Sequence, residues 1–222
     1  MITLFQITGS SSFAVRCALE CAGADYDVVN VHPKRRAEAT GFAAANPLMR
    51  VPALTEGDVA IAETGAVLLW IAERFPEAGL SPVHGTAAFA DHLRWTTWCA
   101  NTLHHGWFLV MVPDAITPEA SVWPSIEARA REVMTRNGTH VEAWLADHEW
   151  LAGERPGVSD IYLYMLVGWG SYCEDLPLGG ANLADLCARV GALPGVVRAR
   201  ELDDLDERLI RFHPELRGDQ PI

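Results

Sequence analysis

At Pro76 the hydrophobic period of this chain changes, and that change constrains the fold more than any other feature. Before it, short β-rich runs alternate with helical patterns; beyond it, apolar residues recur almost only at helical spacing. "ITLFQI" (2–7) reads as a strand, "FAVRCALECAG" (13–23) as a helix closed by Gly23, and "YDVVNVH" (26–32) as a second strand. Such a βαβ unit brings parallel strands and a right-handed crossover. "NPLMRVPALT" (46–55), "VAIAE" (59–63) and "TGAVLLWIAERF" (64–75) read as strand, hairpin partner and closing helix, with the turn at Glu56-Gly57-Asp58. Residues 77–86 are rich in Gly and Pro and read as a linker. Helices are expected over 87–112, 124–148, 158–173, 182–190 and 194–211. The expected fold is therefore an α/β domain over 1–78 followed by an all-α domain over 87–222.

At 222 residues the chain can bury a substantial core. Its 17 basic and 29 acidic residues give a net charge of −12, which repels phosphate backbones and argues against nucleic-acid binding. "PKRR" (33–36) is a local exception, either a solvated loop or a pocket rim that attracts an anion. No run approaches the roughly 20 apolar residues of a membrane span, and the opening "MITLFQITGSSS" does not read as a signal peptide. The five cysteines, Cys17, Cys21, Cys99, Cys173 and Cys187, are odd in number and form no C-x-x-C. They read mostly as buried free thiols in a reducing cytoplasm. No paired Cys/His spacing supports a metal site.

Three stretches carry candidate chemistry. In "TGSSSFAVR" (8–16), Ser10, Ser11 and Ser12 precede a helix and could serve as a cap, a phosphate cradle or an enzyme's hydroxyl site. The cradle fails on detail, because a Walker loop needs a lysine after its glycines and the chain's one lysine is Lys34. In "RVPA" (50–53), Pro52 opens a strand it cannot fully join. It is either a trans edge proline or a cis one that leaves the Val51 main chain free to pair with an extended peptide. In "AETGAV" (62–67), Glu63 and Thr64 stand where a strand hands over to a helix. Thr64 is there either a plain cap or part of a carboxylate site.

In order along the chain, "ITLFQITGSSSFAVRCALECAG", "NPLMRVPALT", "IAETGAVLLWIAERFP", "WLAGERPGVSDIYLYMLVGW" and "LPGVVRARELDD" resemble the cytosolic glutathione transferase family. The resemblance implies a thioredoxin-like amino-terminal domain followed by an α-helical bundle. It implies that Val51, before a cis Pro52, pairs with the cysteinyl unit of glutathione, and that Glu63 and Thr64 receive the γ-glutamyl end. Arg50 and Lys34 fall near the place of the glycyl carboxylate, although "LMR" departs from the family's Gly-containing turn. The thiol-activating slot lies at the start of the first helix. With no Tyr or Cys in it, the chain resembles the Ser-containing members, with Ser11 first in line, then Ser12, then Ser10.

In the helical half, "LRWTTWCANTLHHGWF" (93–108) groups Trp98, Asn101, His104, His105 and Trp107. Helical spacing puts Asn101 and His105 on one face, with Trp98 nearby. His104 matches the Leu-His of a bacterial beta-like pattern, and these side chains are expected to wall the electrophile pocket. The bland alternative for His104 is a histidine satisfied in the core or at a dimer surface. In "GERPGVSD", Gly157 stands where the family has Ser or Thr, so Asp160 alone can supply half of a capping box. The implied activity is thiol transfer from glutathione, a co-substrate, to a small apolar electrophile, without a metal and by a homodimer. A glutathione-dependent isomerase, a disulfide reductase and a non-catalytic glutathione-binding protein are the alternatives.

Overall fold

A computed structural model of the chain describes residues 1–170, 176 and 178–203. Two units result: Met1–Ser81 together with residues 191–203, and Pro82–Val190.

The first unit holds β1 (Ile2–Gln6), α1 (Ser12–Cys21), β2 (Tyr26–Asn30), a one-turn α2 (Phe42–Ala45), β3 (Ala53–Glu56), β4 (Val59–Ala62) and α3 (Thr64–Arg74). The sheet order is β2-β1-β3-β4, with β1 parallel to β2 and antiparallel to β3, and β3 antiparallel to β4. This is the expected βαβ then ββα layout of a thioredoxin-like domain. Gly23 closes α1 as expected: at φ +63° it donates to the Glu20 carbonyl while Ala24 donates to Leu19, a Schellman ending. The long strand expected over 46–55 shrinks to Ala53–Glu56, because 46–52 is a loop held by side-chain hydrogen bonds.

Nearly every face of α1 is buried, since α3 packs on one side and α9 (Pro194–Asp203) on another. A Cβ added to Gly195 would fall 2.4 Å from the Cys21 amide nitrogen, so glycine is what lets α9 cross this closely. Under that crossing Arg16 Nη1 meets Asp203 Oδ1 at 2.8 Å, and Gln6 Nε2 donates both to Asp203 and to Asn30. Residues 191–203 thus group with the first unit, where the sequence placed them in a helical domain over 87–222. The expected continuation of this helix to 211, and of the preceding domain to 222, lies outside the described residues, as does Cys173.

The second unit contains α4 (Ala87–Trp98), α5 (His105–Met111), α6 (Trp123–Leu145), α7 (Val158–Trp169) and α8 (Ala181–Gly191), whose last residue falls at the boundary between units. Trp95, Leu103, Trp107, Met134, Leu151 and Tyr162 are its largest fully buried side chains. The single helix expected over 87–112 is interrupted by a π-helical segment, Cys99–His104, between α4 and α5. Wider turns there shift the faces presented on either side.

Two carboxylates organise helix ends in this unit. Asp160, in the first turn of α7, accepts from Gly157 N–H at 2.8 Å and Leu151 N–H at 2.9 Å, the half capping box expected. Glu142 on α6 reaches the start of α8 and accepts from the N–H groups of Gly180, Asn182 and Leu183 at 2.8–3.0 Å. Desolvation opposes the Glu142 charge, but these three donors outweigh it and hold its carboxyl below the usual value of 4.5. A depressed pKa contributes stability above the unfolded-state value that is lost as the pH falls through the folded one. Glu142→Gln is accordingly expected to cost about 1 kcal/mol at pH 7, as loss of a helix cap does. In thermal melts the gap between the two proteins should narrow as the pH falls below the usual carboxylate range.

Candidate functional site at one end of the sheet

The strand register gathers the chemistry-bearing loops. Phe5 pairs with Ala53, Gln6 with Asn30 and Ala53 with Ala62, so the end of β1, the end of β2, the start of β3 and the end of β4 coincide. The serine turn, the basic run, the loop before Pro52 and the Glu63-Thr64 junction therefore all leave from one end of the sheet.

Within the serine turn the three hydroxyls are not equivalent. Ser10 Oγ donates to the Ile7 carbonyl at 2.6 Å and accepts weakly from the Ser12 amide, so it does the capping. Ser12 Oγ accepts from Ile7 N–H and lies 2.9 Å from the Ile7 carbonyl and 2.7 Å from Ser10 Oγ. Each serine has one proton to give, and those of Ser10 and Ser12 are spent inside the turn. Ser11 has helical dihedrals (φ −61°, ψ −13°), is 5 % exposed, and makes no side-chain hydrogen bond among the described residues. Of the three, its hydroxyl is the uncommitted one, and it stands at the N-terminus of α1.

The Val51–Pro52 bond is cis. The Val51 N–H and C=O make no hydrogen bond among the described residues, while the side chain packs on the cluster of Phe5, Phe42 and Ala53. Two residues hold this loop: Asn46, to which the sequence assigned no role of its own, and Arg36 of the basic run. Buried Asn46 donates to the Arg50 carbonyl at 2.7 Å and accepts from Leu48 N–H at 3.0 Å. Arg36 donates to the carbonyls of Pro33 and Met49. Only the Asn-Pro dipeptide (46–47), a turn signal, hinted at the first. Lys34 and Arg50 are both exposed at this end of the sheet.

At the β4–α3 junction Glu63 occupies φ +69°, ψ 115°, a conformation that costs an L-residue about 1–3 kcal/mol and clusters at ligand clamps. The cap position is Glu63 and not Thr64. Thr64 is the first helical residue, is 6 % exposed, and its hydroxyl makes no hydrogen bond among the described residues. The plain-cap reading of Thr64 therefore does not hold.

In the helical unit the five expected pocket residues separate. Trp98 and Asn101 line a shallow groove of about 550 Å³ with Leu93 and Arg94. His105 is exposed, and Trp107 is fully buried in the core. A π segment interrupts the helix on which Asn101 and His105 were expected to share a face, and His105 is not among the residues lining that groove. His104 is half-buried, with Nδ1 2.8 Å from the Tyr162 hydroxyl and its ring beside Phe108 and Trp169. Desolvation, with a smaller contribution from His105, pushes its pKa down to about 4, so the imidazole is neutral at physiological pH. Tyr162 lies 58 residues away, and no sequence spacing announces it.

Burial pushes the thiols of Cys17 and Cys99 well above their ordinary value, Cys21 to about 11 and Cys187 to about 12. These four cysteines are free thiols and poor nucleophiles, in accord with their sequence reading. Among the described residues no three His, Cys, Asp or Glu side chains cluster as a metal site, and no helix is long and apolar enough to cross a membrane.

Residues 1–73 match the family model described as glutathione S-transferase, N-terminal domain. Glutathione S-transferase GstA of Escherichia coli O157:H7 is 28 % identical over 207 residues, spanning 91 % of this chain and 98 % of that protein. Maleylacetoacetate isomerase of Pseudomonas aeruginosa is 28 % identical over 172 residues, 69 % of this chain and 74 % of that protein. A sphingomonad glutathione S-transferase solved in complex with glutathione superimposes with a TM-score of 0.77 at 28 % identity, covering 91 % of this chain and 99 % of the other. Residues 1–73 thus carry a glutathione S-transferase amino-terminal domain, and over nearly its whole length the chain is similar in sequence and structure to glutathione S-transferases.

Proposed function

We propose that the chain is a glutathione transferase that binds glutathione at this end of the sheet and activates its thiol with Ser11. The observation that carries this reading is the pattern of uncommitted groups. The Ser11 hydroxyl, the Val51 main chain and the Thr64 hydroxyl are unused among the described residues, while the hydroxyls of Ser10 and Ser12 are engaged within the turn. An extended cysteinyl unit would pair with Val51, placing its sulfur by Ser11. Thr64 and Glu63 would take the γ-glutamyl carboxylate and ammonium, and Arg50 and Lys34 the glycyl carboxylate. The relative bound to glutathione supports the same ligand here. Ser10 and Ser12 then serve as scaffold.

The acceptor in this reading is a small apolar electrophile. A homodimer working in the cytoplasm fits the family. Calorimetric titration with glutathione, followed by conjugation of chlorodinitrobenzene, tests the proposal. Absence of glutathione binding at millimolar concentration would end it. Asn46→Ala removes the bonds that hold the Val51 loop. It is expected to weaken glutathione binding about tenfold, the equivalent of one or two hydrogen bonds.

A second reading is a glutathione-dependent isomerase, favoured by the likeness to maleylacetoacetate isomerase over most of both chains. In that chemistry the thiolate adds and later leaves. Unchanged glutathione after turnover of a cis-configured unsaturated diketo acid would favour it, and stoichiometric loss of the thiol would favour conjugation.

A further inference from the structure

We propose that Arg36 is a positioning residue for the main chain of Val51, because it holds the left-handed turn at Met49 that leads into it. The inference rests on the transferase reading above for what Val51 meets, and on the loop alone for its geometry. Met49 has φ +54°, a conformation uncommon outside glycine because it brings Cβ close to the carbonyl oxygen that follows it. Asn and Asp can offset that crowding with a local hydrogen bond, but a methionine side chain has none to give. The turn therefore has to be held from outside. Arg36 does so with two arms of one guanidinium. Its Nε donates to the Pro33 carbonyl at 3.0 Å, and its Nη1 to the Met49 carbonyl at 2.9 Å. Charged donors make both bonds stronger than neutral ones would.

Consecutive peptide planes are fixed in this way. The Met49 N–H donates to the Asn46 carbonyl at 2.8 Å, and the Leu48 N–H to Asn46 Oδ1 at 3.0 Å. The Met49 carbonyl takes the Arg36 bond, and the Arg50 carbonyl takes Asn46 Nδ2 at 2.7 Å. In a trans peptide the C=O of one residue and the N–H of the next share a plane and point opposite ways. The bond on the Arg50 carbonyl therefore aims the Val51 N–H, and the bond on the Met49 carbonyl sets the plane before it. The side chains of Met49 and Val51 both pack on the cluster of Phe5, Phe42 and Ala53, so a change of conformation at Met49 would also unseat that packing. Without Arg36 the left-handed turn is left to Asn46 alone. The apparent affinity for glutathione then falls with the fraction of molecules that keep the turn.

The test uses the full chain, with calorimetric titration of glutathione and amide hydrogen exchange of the ligand-free protein. Arg36→Ala should weaken glutathione binding about tenfold, the effect of losing one hydrogen bond from a charged group. The Leu48 and Met49 amides should exchange about tenfold faster in the same variant. With chlorodinitrobenzene as the probe, the loss should fall in KM for glutathione and not in kcat. Glycine adopts φ +54° without steric cost. Adding Met49→Gly to Arg36→Ala should therefore bring the affinity back to within about threefold of wild type. A merely structural arginine, or one whose charge touches the ligand, would gain nothing from glycine at 49, and failure of that rescue overturns the proposal. So does an unchanged affinity, or a loss that falls in kcat. The exchange arm needs no ligand. Faster exchange in Arg36→Ala of a protein that never binds glutathione would sink the transferase reading and leave the Arg36–Met49 assignment standing. Unchanged exchange in a protein that does bind glutathione would do the reverse.

Discussion

Ser11→Ala is expected to raise the pKa of bound glutathione's thiol by about one and a half units while leaving glutathione bound. A free thiol of this kind titrates near 8.5. Lowering it by two units takes about 2.7 kcal/mol. A hydroxyl donating to thiolate supplies roughly 1.5–3 kcal/mol, and the N-terminus of α1 adds about 0.3–1. The hydroxyl thus carries about one and a half units of the shift, and the helix end, which survives its removal, about half a unit. At pH 6.5 the mutant would hold about sixteenfold less thiolate than the wild type. The more basic thiolate is intrinsically about four- to sixfold more nucleophilic, given a slope of about 0.4–0.5 per pKa unit. The net loss in kcat/KM at pH 6.5 is therefore about three- to fourfold, and it vanishes near about pH 7.4 and reverses above it. The ultraviolet thiolate absorbance of the complex, followed against pH, reads the first quantity directly. Identical titration curves for the two proteins would make Ser11 a bystander. Ser10→Ala and Ser12→Ala, whose protons are already spent on Ile7 and on each other, should disturb the turn's stability more than the thiol's pKa.

The second large effect is on folding. Asp160→Ala should destabilise the helical unit by about 3 kcal/mol, because it strips two buried backbone donors, Leu151 N–H and Gly157 N–H, of their acceptor. For a chain of this length that corresponds to a fall in Tm of roughly 6–12 °C. Burial pushes the Asp160 carboxyl up to about 6, with the backbone donors only partly offsetting it. A raised pKa favours the folded state fully at low pH and loses that advantage as the pH rises through about 6. The deficit of Asp160→Asn, which keeps an acceptor but cannot titrate, should thus be larger at pH 5 than at pH 7.5. Thermal melts at both values decide it, and a pH-independent gap would mean that the carboxyl stays ionised throughout. Glutathione affinity of the folded fraction should be unchanged, since Asp160 belongs to the helical unit and the loops proposed to bind glutathione belong to the other.

How far the sequence could be read depended on the range of the forces involved. Strands β1 and β2, helices α1 and α3 and the Gly23 ending follow from hydrophobic period and local turn chemistry, and they appear close to where those place them. The π segment does not announce itself. "CANTLH" continues an apparently regular helical pattern, and the wider turn is coupled to packing such as the His104–Tyr162 contact across 58 residues. The loop before Pro52 was read as strand because its apolar residues suit one, whereas Asn46 and Arg36 bind its carbonyls from outside. Membership of α9 in the first unit rests on Arg16 and Asp203, 187 residues apart, a pairing that no local signal carries. Among the three serines, sequence could rank but not separate them. What separates them is where each hydroxyl proton goes, a matter of ångströms within one turn.

The pairing of Arg16 with Asp203 also bears on how this protein is made. The ribosome releases Met1–Ser81, carrying every residue proposed to hold glutathione, about 120 residues before it releases Asp203. At roughly 5–20 residues per second, that interval lasts about 6–24 s. Throughout it, α1 lacks the helix that covers one of its sides, and its guanidinium lacks the carboxylate that neutralises it. The nascent thiol site is therefore complete in sequence long before it is complete in structure. A premature stop anywhere in the helical half would strand it there, with all its binding loops present and its supporting helix missing.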